Sequence, residues 1–234
     1  MAQSGVVRQR GAAEAEIVAA RPNVAALAHD ARMDAAGVLS HAHAVDLSGP
    51  LAPYRARDLD DFVHLACAVY GRQPSVVDVA LHAAAAGPVR DWLELAANAF
   101  ERERLYLVRL TSASGPIPST PGAAETEAAL LAQRHALETL ARSERHGCAL
   151  GAATALVADW QNLRRLFDRA AARVGIEVPA CALPDADSIT AVLTLAADGV
   201  AAERAIRFGA EQLLLQHRSL FDLLEARSEA REEY

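Results

Sequence analysis

Four ionisable residues interrupt helical seams that are otherwise apolar: Glu103, Glu144, Glu203 and His217. Glu103 falls between Phe100 and Leu107. Glu144 follows a seam of Leu130, Gln133, Leu137 and Leu140, while Glu203 and His217 share a seven-residue register with Ala210 and Leu224. Charge on a core face is costly unless it is paired or bound to a metal. Inward carboxylates from separate helices are the ligand type of di-iron and di-manganese bundles, so these four form the candidate metal set. The pattern departs from that chemistry because the chain has no Glu-x-x-His motif. In one continuous helix Glu203 and His217 would stand about 21 Å apart, too far to share an ion. The simpler use of all four, favoured by the missing motif, is inter-helix ion pairing with the abundant arginines, such as Arg104, Arg134, Arg207 or Arg218.

Other polar groups carry less. His41 and His43 lie in an irregular region and read as solvated. Asp78 and His82 are four apart and read as a surface pair. Arg165, Arg169 and Arg173 form a row at four-residue steps, suited to a solvated face or an acidic partner. Cys67, Cys148 and Cys181 are widely spaced and odd in number, which supports neither a disulfide framework nor a zinc module. No phosphate-binding glycine loop, nucleophile elbow or metalloprotease helix motif occurs. Catalytic residues and cofactors therefore stay unknown at this level.

The elements that must position these residues are helices. The 234 residues include 54 alanines and 11 aromatics, with 23 arginines and no lysine. Such a composition favours helix, and no stretch alternates at strand period. Residues 1–55 mix short Ala-rich pieces with Pro and Gly and read as a loosely ordered arm, with short helices expected near 12–20 and 30–39. Residues 56–230 read as one domain. Asp58 is expected to cap a helix, with Asp61 three residues on, and Gly71 to end it in the left-handed conformation. Ser75 is expected to cap the next helix, and Pro88 to open a long one reaching 111. Thr120 and Pro121 predict the start of a helical stretch to 174, too long to stay unbroken, with a break near Gly147–Gly151. A last block spans 187–227. Gly147, Gly151 and Ala155 fall four apart and permit two helices to approach closely. The fold class is all-α, an antiparallel helical bundle with long helices.

Three segments, YGRQPSVVDVAL (70–81), 123–160 and FGAEQLLLQHRSLFDLLEAR (208–227), resemble a family of uncharacterised helical proteins from sphingomonad-type alphaproteobacteria, classed as a domain of unknown function. The resemblance spans about 54–229. It implies a bacterial, cytoplasmic setting and one helical domain, and it carries over no site residues.

A formal net charge of −7 argues against a general nucleic-acid binder. No signal-peptide core or membrane-spanning run is evident, so a cytoplasmic chain is expected. The reading that follows is a non-enzymatic interaction or scaffolding protein, self-associating or bound to a protein partner. Alternatives are a ferritin-like metal-binding protein or oxidoreductase, and a pocket for an apolar ligand between helices.

Overall fold

The computed structural model describes residues 24–50 and 55–233. Among them the fold is all-α, without strands. The helices are α1 (Val24–Ala36), α2 (Ala42–Ser48), α3 (Ala56–Tyr70), α4 (Val76–Ala83), α5 (Pro88–Ala113), α6 (Ala123–Ala141), α7 (Cys148–Val174), α8 (Ala186–Ala196) and α9 (Val200–Glu232). A 3-10 turn, Val38–Ser40, joins α1 to α2. No helix among the described residues is long and apolar enough to cross a membrane.

The core is organised on α7 and α9. Residues 150–157 of α7 are buried on every face, the signature of a helix enclosed by others. Glycine brings α9 against it: a Cβ on Gly151 would lie 2.0 Å from the Ile206 carbonyl oxygen, and one on Gly209 2.0 Å from that of Cys148. The Gly147–Gly151 spacing thus does mark a close helix crossing, and Gly209 completes it from the other side. Aromatic rings from four helices fill the space beside this pair. Phe62 stacks on Phe167 at 4.9 Å, and Trp160 meets Phe100 edge-on at 4.8 Å.

Several helix ends follow local chemistry. Ser75 and Asp78 form a capping box at α4, so Asp78 serves its own helix rather than pairing with His82. Asp185 caps α8 through the Ser188 amide at 2.9 Å. The long helical stretch breaks at residues 142–147, slightly before the expected place, where Gly147 has φ +90°.

Three expected ends differ. Helix α6 begins at Ala123 behind a left-handed Gly122, because the Thr120 hydroxyl is taken by arginines of α9. Asp58 lies within the first turn of α3 and is likewise used by α9. Gly71 has φ −73°, so it closes α3 without a left-handed turn.

Residues 24–50 are not a loose arm. Ala26, Val38, Ala44 and Leu47 are buried in the common core. Distant polar groups fasten the segment: Arg32 pairs with Glu211 at 2.6 Å, and Arg169 donates to the carbonyls of Ser48 and Gly49 at 2.9 and 2.6 Å. Short helices show little periodicity, and their anchors lie more than a hundred residues away, so local pattern does not reveal them. The helix expected over 12–20 lies outside the described residues.

Candidate functional site

Glu103 and His217 are both buried, as their seams predict, and each is committed to a partner. The Glu103 carboxylate meets the Arg164 guanidinium and accepts from the Trp160 indole N–H at 3.2 Å. Burial pushes its pKa up, while Arg164 and Trp160 pull it back down. Burial also works against charge on Arg164, but Glu103 and Asp168 outweigh it and hold the guanidinium protonated. Arg164 further binds the Pro179 carbonyl, tying the 175–185 connection to the core. His217 Nδ1 lies 2.6 Å from Oδ2 of Asp159, with both side chains at 0% exposure. The same carboxylate accepts the Val38 amide N–H at 3.0 and 3.1 Å. Asp159 therefore joins α9 to the 3-10 turn, a hydrogen-bonded crosslink inside the core.

The other two members of the set lie elsewhere. Glu144 is exposed in the turn between α6 and α7, and Glu203 is half-buried in the first turn of α9, where a carboxylate suits the helix N-terminus. The four do not converge. Among the described residues no group of three His, Cys, Asp or Glu side chains stands close enough to hold a metal ion.

A second charged cluster joins α3 to α9. Arg227 grips Asp61 with two contacts of 2.7 Å. Arg231 reaches Asp61 and Asp58 at 2.7 Å each, while Thr120, Thr126 and the Pro118 carbonyl accept further guanidinium N–H groups. Asp58 and Asp61 are three apart on α3, and Arg227 and Arg231 four apart on α9, so each pair lies on one helix face. That spacing is visible in the sequence, but its partner is not.

His41 and His43 are buried, against the expectation of a solvated pair: His41 Nε2 lies 3.0 Å from Asp222, and desolvation lowers the pKa of His43 against the pull of Asp58 and Glu225. In the arginine row, Arg169 holds carbonyls, Arg173 pairs with Asp60, and Arg165 is exposed.

The concave surface lies elsewhere. A cleft of about 380 Å³ opens between the end of α3, the start of α4 and α6. Arg72, Arg134, His135 and Arg142 line it, with Tyr70 and Val76 among its apolar walls. Its rim is fixed from behind: Arg104 binds Glu101 through two contacts of 2.6 Å and donates to the Gly71 carbonyl at 3.0 Å. Gln73 adds a 2.8 Å bond to Glu101. Hydrogen bonding from Arg104 holds the Glu101 carboxyl below its usual range. Tyr70 links the cleft to the core, its ring edge-on to both Trp160 and His217. Burial and the Asp159 charge raise its phenol pKa, so the hydroxyl stays protonated.

Three further depressions continue from this cleft. The second shares Val79, Ala141 and Arg142 with it, the third shares Ala83 and Ser143 with the second, and the fourth shares Arg145, His146 and Asp198 with the third. The shared walls place the four side by side past α4 and around the α6–α7 turn, a groove-like run of depressions. Arg142 stands 3.5 Å from an exposed Glu138. Among the described residues, Arg72 and Arg134 have no carboxylate partner.

No curated protein and no solved structure matches the chain. A family match does extend over residues 31–232, beginning within α1, earlier than the resemblance at 54 implies. Its early start agrees with the packing of α1 and α2 into the common core. The chain belongs to DUF6975, a family of unknown function.

Proposed function

We propose that the protein is a non-enzymatic helical interaction module that holds a protein partner, or a second copy of itself, in the groove along α4 and α6. The observation that carries this reading is the run of depressions with shared walls, beginning at the arginine-lined cleft. Segments of partner proteins are commonly recognised in grooves whose apolar walls take side chains and whose charged clusters fix acidic motifs. The buried ionisable groups support the same reading from the other side. Glu103 is matched to Arg164 and Asp159 to His217, which makes them architectural and leaves neither facing the groove as an acid or base. A net charge of −7 disfavours nucleic acid as the partner. A cytoplasmic setting is part of the proposal and fits three cysteines that are all free thiols.

Ser143 tests the reading because it lies where two depressions meet. Tagged chain is recovered from its cells of origin as wild type, as Ser143→Trp and as Leu105→Trp, the last on an exposed position of α5. The partner should persist with wild type and Leu105→Trp and be lost with Ser143→Trp; light scattering identifies the case in which it is a second copy. Identical recovery with all three chains would remove the groove as the binding surface.

A further inference from the structure

The groove is asymmetric along its length. In the first cleft Arg72, Arg134 and Arg142 face a single carboxylate, Glu138. Beyond it the lining carries Arg145 and Arg204 together with Asp78, Glu144 and Asp198, and the walls become alanines with Leu93, Leu150 and Leu195. Positive charge is thus in clearest surplus in the first cleft, while the part beyond it carries no net surplus when taken together, on a molecule whose total charge is negative. We infer that the groove takes an extended peptide segment of another protein, with acidic residues in the arginine cleft and small apolar residues along the alanine-walled part. This inference rests on the reading of the groove as a docking surface and names the chemistry of its occupant.

Guanidinium groups bind carboxylates in a planar, two-point geometry. Arg72 and Arg134 retain all their donors for that purpose. The Arg104–Glu101 contact and its bond to Gly71 hold the connection carrying Arg72 in place, which lowers the ordering cost of binding. A free small anion would engage the first cleft alone and leave the connected depressions without a role. A nucleic-acid strand would need surplus cations along the whole run, and the middle of it, where Asp78, Glu144 and Asp198 stand against Arg145, has none. An acidic-to-apolar peptide matches both parts.

The probe is a fluorescein-labelled peptide with a run of glutamates followed by alternating alanine and leucine, read by anisotropy on the full chain. Companion peptides carry lysine in place of glutamate, or the glutamates alone. The first peptide should bind and the lysine peptide should not. Arg72→Ala with Arg134→Ala should weaken binding about tenfold, with circular dichroism unchanged, because neither side chain leaves a carboxylate unpaired. Rising salt should weaken binding as well. Equal binding of the acidic and basic peptides, or unchanged affinity in the double variant, would overturn the inference. So would equal affinity for the glutamates alone, which would reduce the site to an anion cleft. A chain that is dimeric by itself and turned monomeric by the double variant would assign the groove to a second copy and equally overturn it. If Ser143→Trp loses its partner while the acidic peptide fails to bind, the module stands and the acidic class falls.

Discussion

Arg227 and Arg231 lie against α3 with a carboxylate or hydroxyl on nearly every donor, whereas Arg72 and Arg134 line an open cleft with no carboxylate partner. In sequence the two pairs look alike, arginines within helical or near-helical stretches of an arginine-rich chain. The difference lies in what faces them. Asp61 is fully buried, so charge at that place persists only because both sides are present and hydrogen-bonded. At the cleft, water supplies the missing partner, and a ligand carboxylate can replace it. Saturated arginines hold the fold together; unsaturated ones in a concave surface are available to bind.

The comparison breaks most readily at Asp61. Asp61→Ala leaves two guanidinium groups facing a buried space without their main acceptor and should cost about 3–5 kcal/mol of stability. Urea unfolding measures it, and a loss below about 1 kcal/mol would show that the cluster is hydrated and not a buried unit. Arg231→Met is milder. Asp61 keeps both Arg227 contacts and Asp58 keeps the Ser228 hydroxyl at 3.0 Å, so about 1–3 kcal/mol is expected.

These residues also show what the sequence makes legible. The helices, the break before α7, the α4 cap and the close Gly151 crossing follow from local rules, because helix ends and small-residue spacing act over a few positions. Seam position reads correctly for Glu103 and His217 but not for Glu144, which is exposed in a turn, or Glu203, which is half-buried at a helix start, because a seam persists only where the helix does. The partners of the first two are not legible. Trp160 and Arg164 lie about sixty residues from Glu103, and Asp159 lies 58 from His217. Only the fold decides whether an inward carboxylate meets arginine, histidine or metal. Asp58 fits a cap by its neighbours and becomes an interhelical acceptor once α9 brings Arg231 beside it. The groove is still less visible, since its walls come from α3 to α9 and no single segment encodes it.

His43 sharpens the comparison near the saturated cluster. Burial keeps it neutral, opposed by Asp58 and Glu225, while Arg55 and His41 act with burial. With its folded pKa below the ordinary 6.5, stability is complete above that pH. It is lost as pH falls toward and through the folded value, because the unfolded chain then binds the extra proton. His29 and His64 act in the same direction. His43→Leu should flatten the acid side of a stability–pH curve by at most about 1.4 kcal/mol per pH unit, less after solvent screening. Above pH 7 its slope should match that of wild type. An unchanged acid limb would mean that His43 takes up its proton in the folded state, drawn by Asp58 away from Arg231.

The smallest effect on stability belongs to Arg134, and it bears most directly on function. The side chain is half-exposed in the first cleft and touches no carboxylate, so Arg134→Glu removes no internal bond. The new charge faces Arg72 and Arg142 across the cleft, while Glu138 stands one helical turn away on α6. Attraction and repulsion largely offset in water-exposed surroundings, and the urea midpoint should shift by no more than about 0.5 kcal/mol in equivalent stability. The same reversal at Arg227 would set a second carboxylate against buried Asp61 and would leave no folded protein to compare. If Arg134→Glu instead costs as much as Arg231→Met, the cleft arginine is structural and the distinction between saturated and available guanidinium groups collapses. If stability is kept while acidic-peptide binding is lost, one side chain separates what the cleft does from what the core requires.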